Sequence, residues 1–197
     1  MKPSANQVWD KVFMAKEFYY NLLKLYKTFR MLSRLVVFAL VVMITGCTHK
    51  YYIVRHGEKA VTQNADAQTA KDPALSEAGT DRAMALLGRL KDERIGQVFS
   101  TRTIRTKATA QPVATNFGLP IQEYDKVDTA FLNKIRSIKD NVLIVGHSNT
   151  VDDIVNGLVP GAKLTDLPET SYDNLFIVKR RGKRFQLIHQ HYGAPSE

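Results

Sequence analysis

The chain has 197 residues, a net charge of +9 and a single cysteine, which excludes an intramolecular disulfide. Residues 1–47 hold seven of the 28 lysines and arginines but only two of the 19 acidic residues, so residues 48–197 are only mildly basic. No stripe of basic and aromatic residues marks a nucleic-acid surface, and we expect no nucleic acid as a partner. The length of residues 48–197 suits one compact domain.

An uncharged apolar run over residues 35–45 follows Arg34. Its 11 residues are short for a transmembrane helix and typical of a signal-peptide core. The run closes with Ile44-Thr45-Gly46-Cys47, which resembles the lipobox of bacterial lipoproteins, whose cysteine is lipidated and becomes the mature N-terminus. The sequence therefore predicts a protein of the bacterial cell envelope that is anchored to the membrane through a lipid on Cys47. An uncleaved N-terminal membrane anchor is the alternative.

Residues 1–30 fit poorly in front of such a signal, because they are mixed and rich in aromatic residues. The charged stretch from Met31 to Arg34 is typical of a short signal-peptide n-region, so we expect translation to start at Met31. A cytoplasmic helix over residues 13–29 is the alternative. We accordingly divide the chain into an N-terminal extension with its anchor, residues 1–47, and a domain, residues 48–197.

Apolar patterns predict alternating strands and helices over the rest of the chain. Strands are expected at residues 51–54, 95–99, 119–124, 142–145, 175–178 and 185–188, the last two forming a hairpin across residues 180–183. Helices are expected at residues 76–90, with Ser76 as N-cap, at 100–117, at 127–138 and at 150–158, with a cap near Ser148. This alternation predicts a single three-layer α/β/α sandwich with a mostly parallel central sheet.

Two histidines directly follow predicted strands. His56 follows the first strand through Arg55, and His147 follows the fourth strand. Because ligands of such sheets bind at the carboxyl ends of the strands, we expect the two histidines to share one site. Gly57 would let the backbone turn sharply and come close to a bound group.

Four short motifs occur in order between residues 51 and 178: Arg55-His56-Gly57-Glu58, Leu75-Ser76-Glu77-Ala78-Gly79 with Arg82-Ala83, Ser100-Thr101-Arg102-Thr103-Ile104-Arg105 with Thr109-Ala110, and Gly146-His147-Ser148. In this order they resemble the histidine phosphatase superfamily, in its phosphoglycerate-mutase-like branch. The resemblance implies that His56 is the nucleophile that takes the phosphoryl group. The residues expected to bind the phosphate are Arg55, Gly57, Arg105, His147 and Ser148.

Physical chemistry agrees with these roles. A phosphoryl group in transfer carries charge on three equatorial oxygens, which require fixed donors and positive charge around them. Arginine presents paired, planar donors that match phosphate. Arg55 and Arg105 would also disfavour a protonated imidazole and keep His56 nucleophilic. A helix that begins after His147 would add backbone N–H groups. Arg102 is the alternative to Arg105 in its helix.

The leaving oxygen needs a proton, and the family commonly takes one from a carboxyl group beyond the third strand. Asp125 is the candidate that we favour. The alternatives are Glu123, Asp128 and Glu58. No acidic residue follows His147 directly, so the His-Asp arrangement of the phytase-like relatives is absent.

Other polar groups have simpler explanations. His189 and His191 lie on one face of a predicted strand and could hold a metal, but no third ligand is in view, so we expect surface histidines and no metal site. Asp152 and Asp153 are expected on the solvated side of their helix.

The sequence thus predicts a membrane-tethered phosphomonoesterase that uses a phosphohistidine intermediate and needs neither metal nor cofactor. Its substrate would be a phosphorylated small molecule or a phosphoprotein. The alternatives are a phosphoglycerate-type mutase and a non-catalytic phosphate-binding lipoprotein. Only 42 positions separate Arg105 from His147. The mutases carry a longer segment there, so this short form resembles small phosphatases, including those that act on phosphohistidine proteins.

Overall fold

The computed structural model describes residues 14, 16, 19–20, 22–34, 48–61 and 71–196. The chain divides into two compact units, Met1–Gly46 and Cys47–Glu197. Residues 22–34 of the first unit are helical. None of the helices described is both long enough and apolar enough to cross a bilayer. The predicted signal core and the predicted lipid attachment at Cys47 lie outside the described residues.

The second unit contains six strands and four helices in its described part. The strands are β1 (Thr48–Arg55), β2 (Ile95–Ser100), β3 (Ile121–Glu123), β4 (Asn141–Gly146), β5 (Asn174–Arg181) and β6 (Arg184–His191). The helices are α1 (Glu77–Leu90), α2 (Ile104–Phe117), α3 (Thr129–Ser137) and α4 (Ser148–Leu158).

One mixed sheet holds all six strands in the order β3-β2-β4-β1-β5-β6. The pairs β1–β4, β2–β4 and β2–β3 are parallel, whereas β1–β5 and β5–β6 are antiparallel. The prediction of a mostly parallel sheet is confirmed, and β5 and β6 form the predicted hairpin. Strands β1 and β4 are neighbours at the centre of the sheet, so their carboxyl ends lie side by side.

Helices cover both faces of the sheet, as the three-layer prediction requires. In β1, Tyr51 and Ile53 point into the core cluster that contains residues of α3 and α4. Tyr52 and Val54 point into the cluster that contains residues of α1 and α2. All four side chains are fully buried. Successive side chains of a strand face opposite sides, which explains why residues 51–54 are all apolar rather than alternately apolar and polar.

Helix α1 begins as predicted. The Ser76 side chain accepts a hydrogen bond from the backbone N–H of Gly79 at 3.1 Å, so Ser76 is its N-cap. Leu86 and Leu90, one turn apart on the predicted apolar face, are fully buried.

Two helix starts differ from the prediction. Helix α2 begins only at Ile104, because Ser100 still pairs with Val145 as the last residue of β2. The N-cap of α4 is His147, and Ser148 is the first helical residue. The backbone N–H of His147 donates to the Thr150 hydroxyl at 2.7 Å, which ends the strand and opens the helix within one residue.

The expectation for Asp152 is wrong. Its side chain is only 6% exposed, whereas Asp153 lies on the surface. Helix α4 buries Asp152 together with Val151, Ile154 and Val155, a wider face than its apolar spacing indicates. Burial raises the pKa of Asp152.

Candidate active site

The two strand-end histidines meet where β1 and β4 end. The parallel register pairs Arg55 with Gly146, so His56 and His147 are the next residues of adjacent strands. The backbone N–H of His56 continues the ladder by donating to the Gly146 carbonyl at 2.9 Å. The two imidazole centroids are 5.3 Å apart, with the ring planes at 74°. This convergence agrees with the prediction of a shared site.

The surroundings of His56 determine which ring nitrogen is free. Its Nδ1 lies 2.7 Å from the carbonyl oxygen of Gly57. A carbonyl can only accept, so Nδ1 carries the proton and Nε2 keeps its lone pair. Arg105 Nε donates to that Nε2 at 3.1 Å. The imidazole is thereby held with its nucleophilic nitrogen beside a guanidinium group.

The structure gives Gly57 a role in the packing of two backbone segments. A Cβ atom at this position would lie 2.7 Å from the Gly79 carbonyl oxygen, so the glycine allows two backbone segments to touch. The N–H of Gly57 donates to the Thr109 hydroxyl at 2.9 Å, and its carbonyl binds His56. Both backbone polar groups of Gly57 are therefore hydrogen-bonded, and its carbonyl orients the nucleophile. The bond to Thr109 joins residues of two of the sequence motifs.

Arg105 reaches the site from the first turn of α2 and is 15% exposed. Besides His56, it contacts Asp72, with Nη1 and Oδ1 separated by 3.2 Å. Asp72 is itself held by the backbone N–H of Ile104, which lies 3.1 Å from each carboxylate oxygen. The structure thus places Arg105 beside the histidine pair. Arg102, the alternative, is 69% exposed and lies on the surface.

Arg55 is almost completely buried, at 2% exposure. Its Nη1 donates to the Pro168 carbonyl at 2.8 Å, and its Nη2 donates to Glu169 at 3.0 Å. The Tyr172 ring lies under the guanidinium, with Cζ 4.4 Å from the ring centroid. The same ring is 6.0 Å from that of His56. The segment between α4 and β5 therefore forms one wall of the site.

His147 lies near the hydroxyls of the loop that follows β2. Its Nδ1 is 3.4 Å from Thr101 Oγ1, and its Nε2 is 3.5 Å from Thr103 Oγ1. Both distances are long for hydrogen bonds, so the two hydroxyls hold the ring only weakly. Ser148 follows at the start of α4 and donates to Glu169 at 3.3 Å.

Both histidines are neutral at physiological pH. Burial, with further contributions from Arg105, Arg55 and His147, outweighs the hydrogen bond to Gly57 and lowers the pKa of His56 to about 3. Burial, followed by the two arginines, lowers the pKa of His147 to about 4. A neutral imidazole retains the lone pair that nucleophilic attack requires.

These pKa shifts predict a loss of stability in acid. An unfolded histidine binds a proton below pH about 6.5, whereas His56 in the folded protein stays neutral down to about pH 3. The free energy of unfolding therefore decreases as the pH drops through this window. The loss approaches about 1.4 kcal/mol per pH unit for one such histidine. We expect urea unfolding at pH 7, 6 and 5 to show a steeper decline for the wild type than for His56→Gln. Equal slopes would contradict the assigned pKa.

The four carboxylates proposed as general acid are each paired with a group other than His56. Asp125 is 65% exposed and bound to Arg102, with Oδ1 and Nε separated by 2.9 Å. Hydrogen bonding to Lys107 lowers the pKa of Glu123. In the described part of the chain no hydrogen bond or ion pair joins either carboxylate to His56.

The other two have structural roles. Asp128 is the N-cap of α3 and accepts from the N–H of Phe131 at 2.9 Å. Glu58 accepts three hydrogen bonds from Arg82, at 2.6, 2.9 and 3.0 Å. Burial acts to raise the pKa of Glu58, but the hydrogen bonds from Arg82 outweigh it and lower that pKa.

His189 and His191 do share one face of β6, with ring centroids 4.9 Å apart. His189 bonds to Asn174 at 2.7 Å and His191 to Asp173 at 2.9 Å. Among the residues that the structure describes, no group of three or more histidine, cysteine or acidic side chains could hold a metal ion.

Sequence reasoning missed two acidic residues that contact the arginines of the site. Asp72 lies in a polar stretch of the sequence that follows the first predicted strand, and this closeness in the chain was the available signal. Glu169 lies in a segment for which no element was predicted, and no local pattern marks it. The structure brings both to the site because each neutralises a guanidinium group, Asp72 that of Arg105 and Glu169 that of Arg55.

Comparison with known proteins agrees with this geometry. The family model of the histidine phosphatase superfamily (branch 1) matches residues 51–129, which include the motifs of His56 and Arg105. The family resemblance predicted from the motifs is thereby confirmed, and the match supports a phosphatase or mutase-like function. No curated protein matches the chain significantly.

Solved structures show the same fold. The protein histidine phosphatase SixA, solved with tungstate, is 21% identical, with a TM-score of 0.56, and the match covers 72% of this chain and 96% of that one. A phosphoglycerate mutase from Bacillus anthracis str. Sterne is 15% identical, with a TM-score of 0.53 and coverages of 75% and 95%. A mycobacterial glucosyl-3-phosphoglycerate phosphatase, solved with VO3, is 13% identical, with a TM-score of 0.54 and coverages of 74% and 99%. At these identities the likeness concerns the fold alone.

Proposed function

We propose that the protein is a phosphomonoesterase that works through a phosphohistidine on His56. The observation that carries this proposal is the state of His56 Nε2, which keeps its lone pair because Nδ1 is bound to the Gly57 carbonyl. Arg105 Nε lies 3.1 Å from that nitrogen, and the His147 ring stands at its edge. A nucleophile among phosphate-matching donors is the arrangement that phosphoryl transfer needs.

The chemistry follows from these groups. His56 Nε2 attacks phosphorus, an N–P bond forms and the ester P–O bond breaks, and the leaving oxygen takes the electron pair and a proton. Water then attacks the phosphohistidine, and the N–P electron pair returns to Nε2 as phosphate is released. Arg55, Arg105 and His147 hold the equatorial oxygens throughout. Because two guanidinium groups already supply positive charge, we propose that the reaction needs no metal.

The short segment between Arg105 and His147 favours a phosphatase over a mutase. It holds only α2, β3, α3 and β4 with their connections, and no further element covers the site from it. The substrate is proposed to be a phosphorylated small molecule or a phosphoprotein. One protein with the same fold, SixA, is a protein histidine phosphatase, which supports the phosphoprotein as a substrate class.

The test is turnover of a panel of phosphomonoesters by the purified full chain in the presence of a chelator. We expect release of inorganic phosphate and, after an acid-free quench, an acid-labile phosphorylated protein. Transfer of the phosphoryl group to an acceptor phosphoester in preference to water would identify a mutase. Phosphate binding without any turnover would identify a non-catalytic phosphate-binding protein and refute the proposal.

A lipid tether at Cys47 is proposed from the apolar run and the lipobox-like Ile44-Thr45-Gly46-Cys47. It would place the domain on the periplasmic or extracellular face of a bacterial membrane. Cells that express the chain should incorporate labelled fatty acid into it, and Cys47→Ala should abolish the labelling. Mass spectrometry that found an unmodified N-terminus upstream of Cys47 would refute the tether.

A further inference from the structure

Glu169 lies between α4 and β5 and contacts three side chains at the candidate site. Its Oε2 accepts a hydrogen bond from Arg55 Nη2 at 3.0 Å and lies 3.6 Å from Lys59 Nζ. Its Oε1 accepts from the Ser148 hydroxyl at 3.3 Å. Because Arg55 and Ser148 are both expected phosphate ligands, this carboxylate makes contacts that a bound phosphoryl group would make.

The carboxylate of Glu169 is also free to move. All three of its contacts are to side chains, and the side chain is 69% exposed. Asp72, the other acidic residue at the site, is 25% exposed and held by the backbone N–H of Ile104 as well as by Arg105. A rotation about the side-chain bonds of Glu169 is therefore sufficient to release it, whereas Asp72 is fixed to the start of a helix.

The carboxylates predicted from the sequence are all committed elsewhere. Glu58 is bound by Arg82, and Asp128 caps α3. Asp125 pairs with Arg102 on the surface, and Glu123 pairs with Lys107. Among the described acidic residues, Glu169 thus combines contact with the expected phosphate ligands and freedom to leave them.

We infer that Glu169 donates the proton to the leaving oxygen, an inference that rests on the hydrolysis proposed above. As His56 Nε2 forms its bond to phosphorus, the ester P–O bond breaks and its electron pair goes to the leaving oxygen, which takes the proton of the Glu169 carboxyl group. The resulting carboxylate then removes a proton from the water that attacks the phosphohistidine, which restores the acid. Each proton given in the first step is recovered in the second.

Substrate binding favours the protonated form of the Glu169 carboxyl group. Among the residues that the structure describes, the charged or titratable groups that act on Glu169 are Arg55, Lys59 and His147. In the free protein, attraction by Arg55 is the main reason why the pKa of Glu169 is lowered. A phosphate that binds Arg55 displaces the carboxylate and sets a like charge beside it. Both changes favour the protonated form, so the acid is loaded when the substrate arrives.

The experiment compares two leaving groups in the full chain. A poor leaving group, as in methyl phosphate, depends on protonation, whereas p-nitrophenolate leaves without it. We expect Glu169→Gln to lower kcat/KM, which reports formation of the phosphohistidine and not its hydrolysis, at least ~100-fold for methyl phosphate but less than about 10-fold for p-nitrophenyl phosphate. Because glutamine lacks the negative charge, inorganic phosphate should inhibit the variant at a lower concentration than it inhibits the wild type.

The matched control is Asp166→Asn, which removes an exposed carboxylate from the same loop and should leave both rates unchanged. Equal losses of kcat/KM on both esters in Glu169→Gln would overturn the inference, and so would a leaving-group-dependent loss of kcat/KM in Asp125→Asn or Asp72→Asn instead. A lower KM with an unchanged kcat on both esters would also overturn the inference. That result would mean that Glu169 only competes with the substrate phosphate for Arg55 and transfers no proton. Absence of turnover and of phosphohistidine in the wild type would instead refute the proposed function, and the inference with it.

Discussion

Replacing His56 with alanine is expected to reduce phosphomonoester hydrolysis to the background rate. The side chain is 3% exposed, its Nδ1 is occupied by the Gly57 carbonyl, and its Nε2 faces Arg105. Alanine removes the nitrogen that would carry the phosphoryl group, and no second imidazole with the same backbone support stands in its place among the described residues. Phosphate release from p-nitrophenyl phosphate and the acid-labile label on the protein should therefore disappear together.

A histidine outside the site provides the control for this loss. His191 is 63% exposed on β6 and pairs with Asp173, so His191→Ala should retain both activity and label. Circular dichroism would verify that the His56 variant is folded. Residual labelling of a folded His56→Ala protein at the wild-type level would show that another group is the nucleophile.

Replacing His147 with alanine is expected to slow turnover without removing the covalent intermediate. Its ring lies 5.3 Å from that of His56 and is neutral, with its pKa lowered to about 4 mainly by burial. A neutral ring donates one hydrogen bond, so its loss should resemble that of a single oxyanion donor, a decrease in kcat of about 10²–10³-fold, or about 2.7–4 kcal/mol. The backbone of residue 147 can still cap α4, because that contact uses its N–H and Thr150.

The kinetic constants distinguish this role from simple binding. A transition-state role lowers kcat and kcat/KM together, whereas a role in substrate binding alone raises KM and leaves kcat unchanged. The phosphorylated protein should still form in His147→Ala, although more slowly. An unchanged kcat, or complete loss of the label, would contradict the assignment.

Much of the fold could be predicted because the positions of its strands and helices depend on residues that are close together in the sequence. The strand around Tyr51–Val54 is apolar at every position, which is typical of a strand covered on both faces, and the structure buries both faces. The start of α1 could be predicted from Ser76, because its side chain accepts a hydrogen bond from the N–H of Gly79, only three residues away. Helix starts next to strand ends were less accurate, since strand pairing with a distant partner kept Ser100 in β2.

The candidate site could be predicted only in part. His56 and His147 follow apolar strands directly, so the rule that sheets bind ligands at strand ends placed them in one site before the pairing of β1 with β4 was known. Gly57 was singled out for close backbone approach, and the structure shows such an approach to the backbone of Gly79. Its approach to a bound phosphate stays a prediction. The favoured acid, Asp125, was chosen by its place after the third strand, and the structure pairs it with a surface arginine.

The sequence by itself determined the strands and helices, their order, the two strand-end histidines and the motif arginines, because each depends on residues close together in the chain. Only the tertiary structure decided which carboxylate meets which arginine. Arg55 contacts Glu169 across 114 positions and Arg105 contacts Asp72 across 33, so both pairs depend on how loops return over the sheet. Periodicity and capping act within a few residues and carry no information about such returns. Buried guanidinium groups require partners, and the folded chain alone determines which acidic side chains lie within reach.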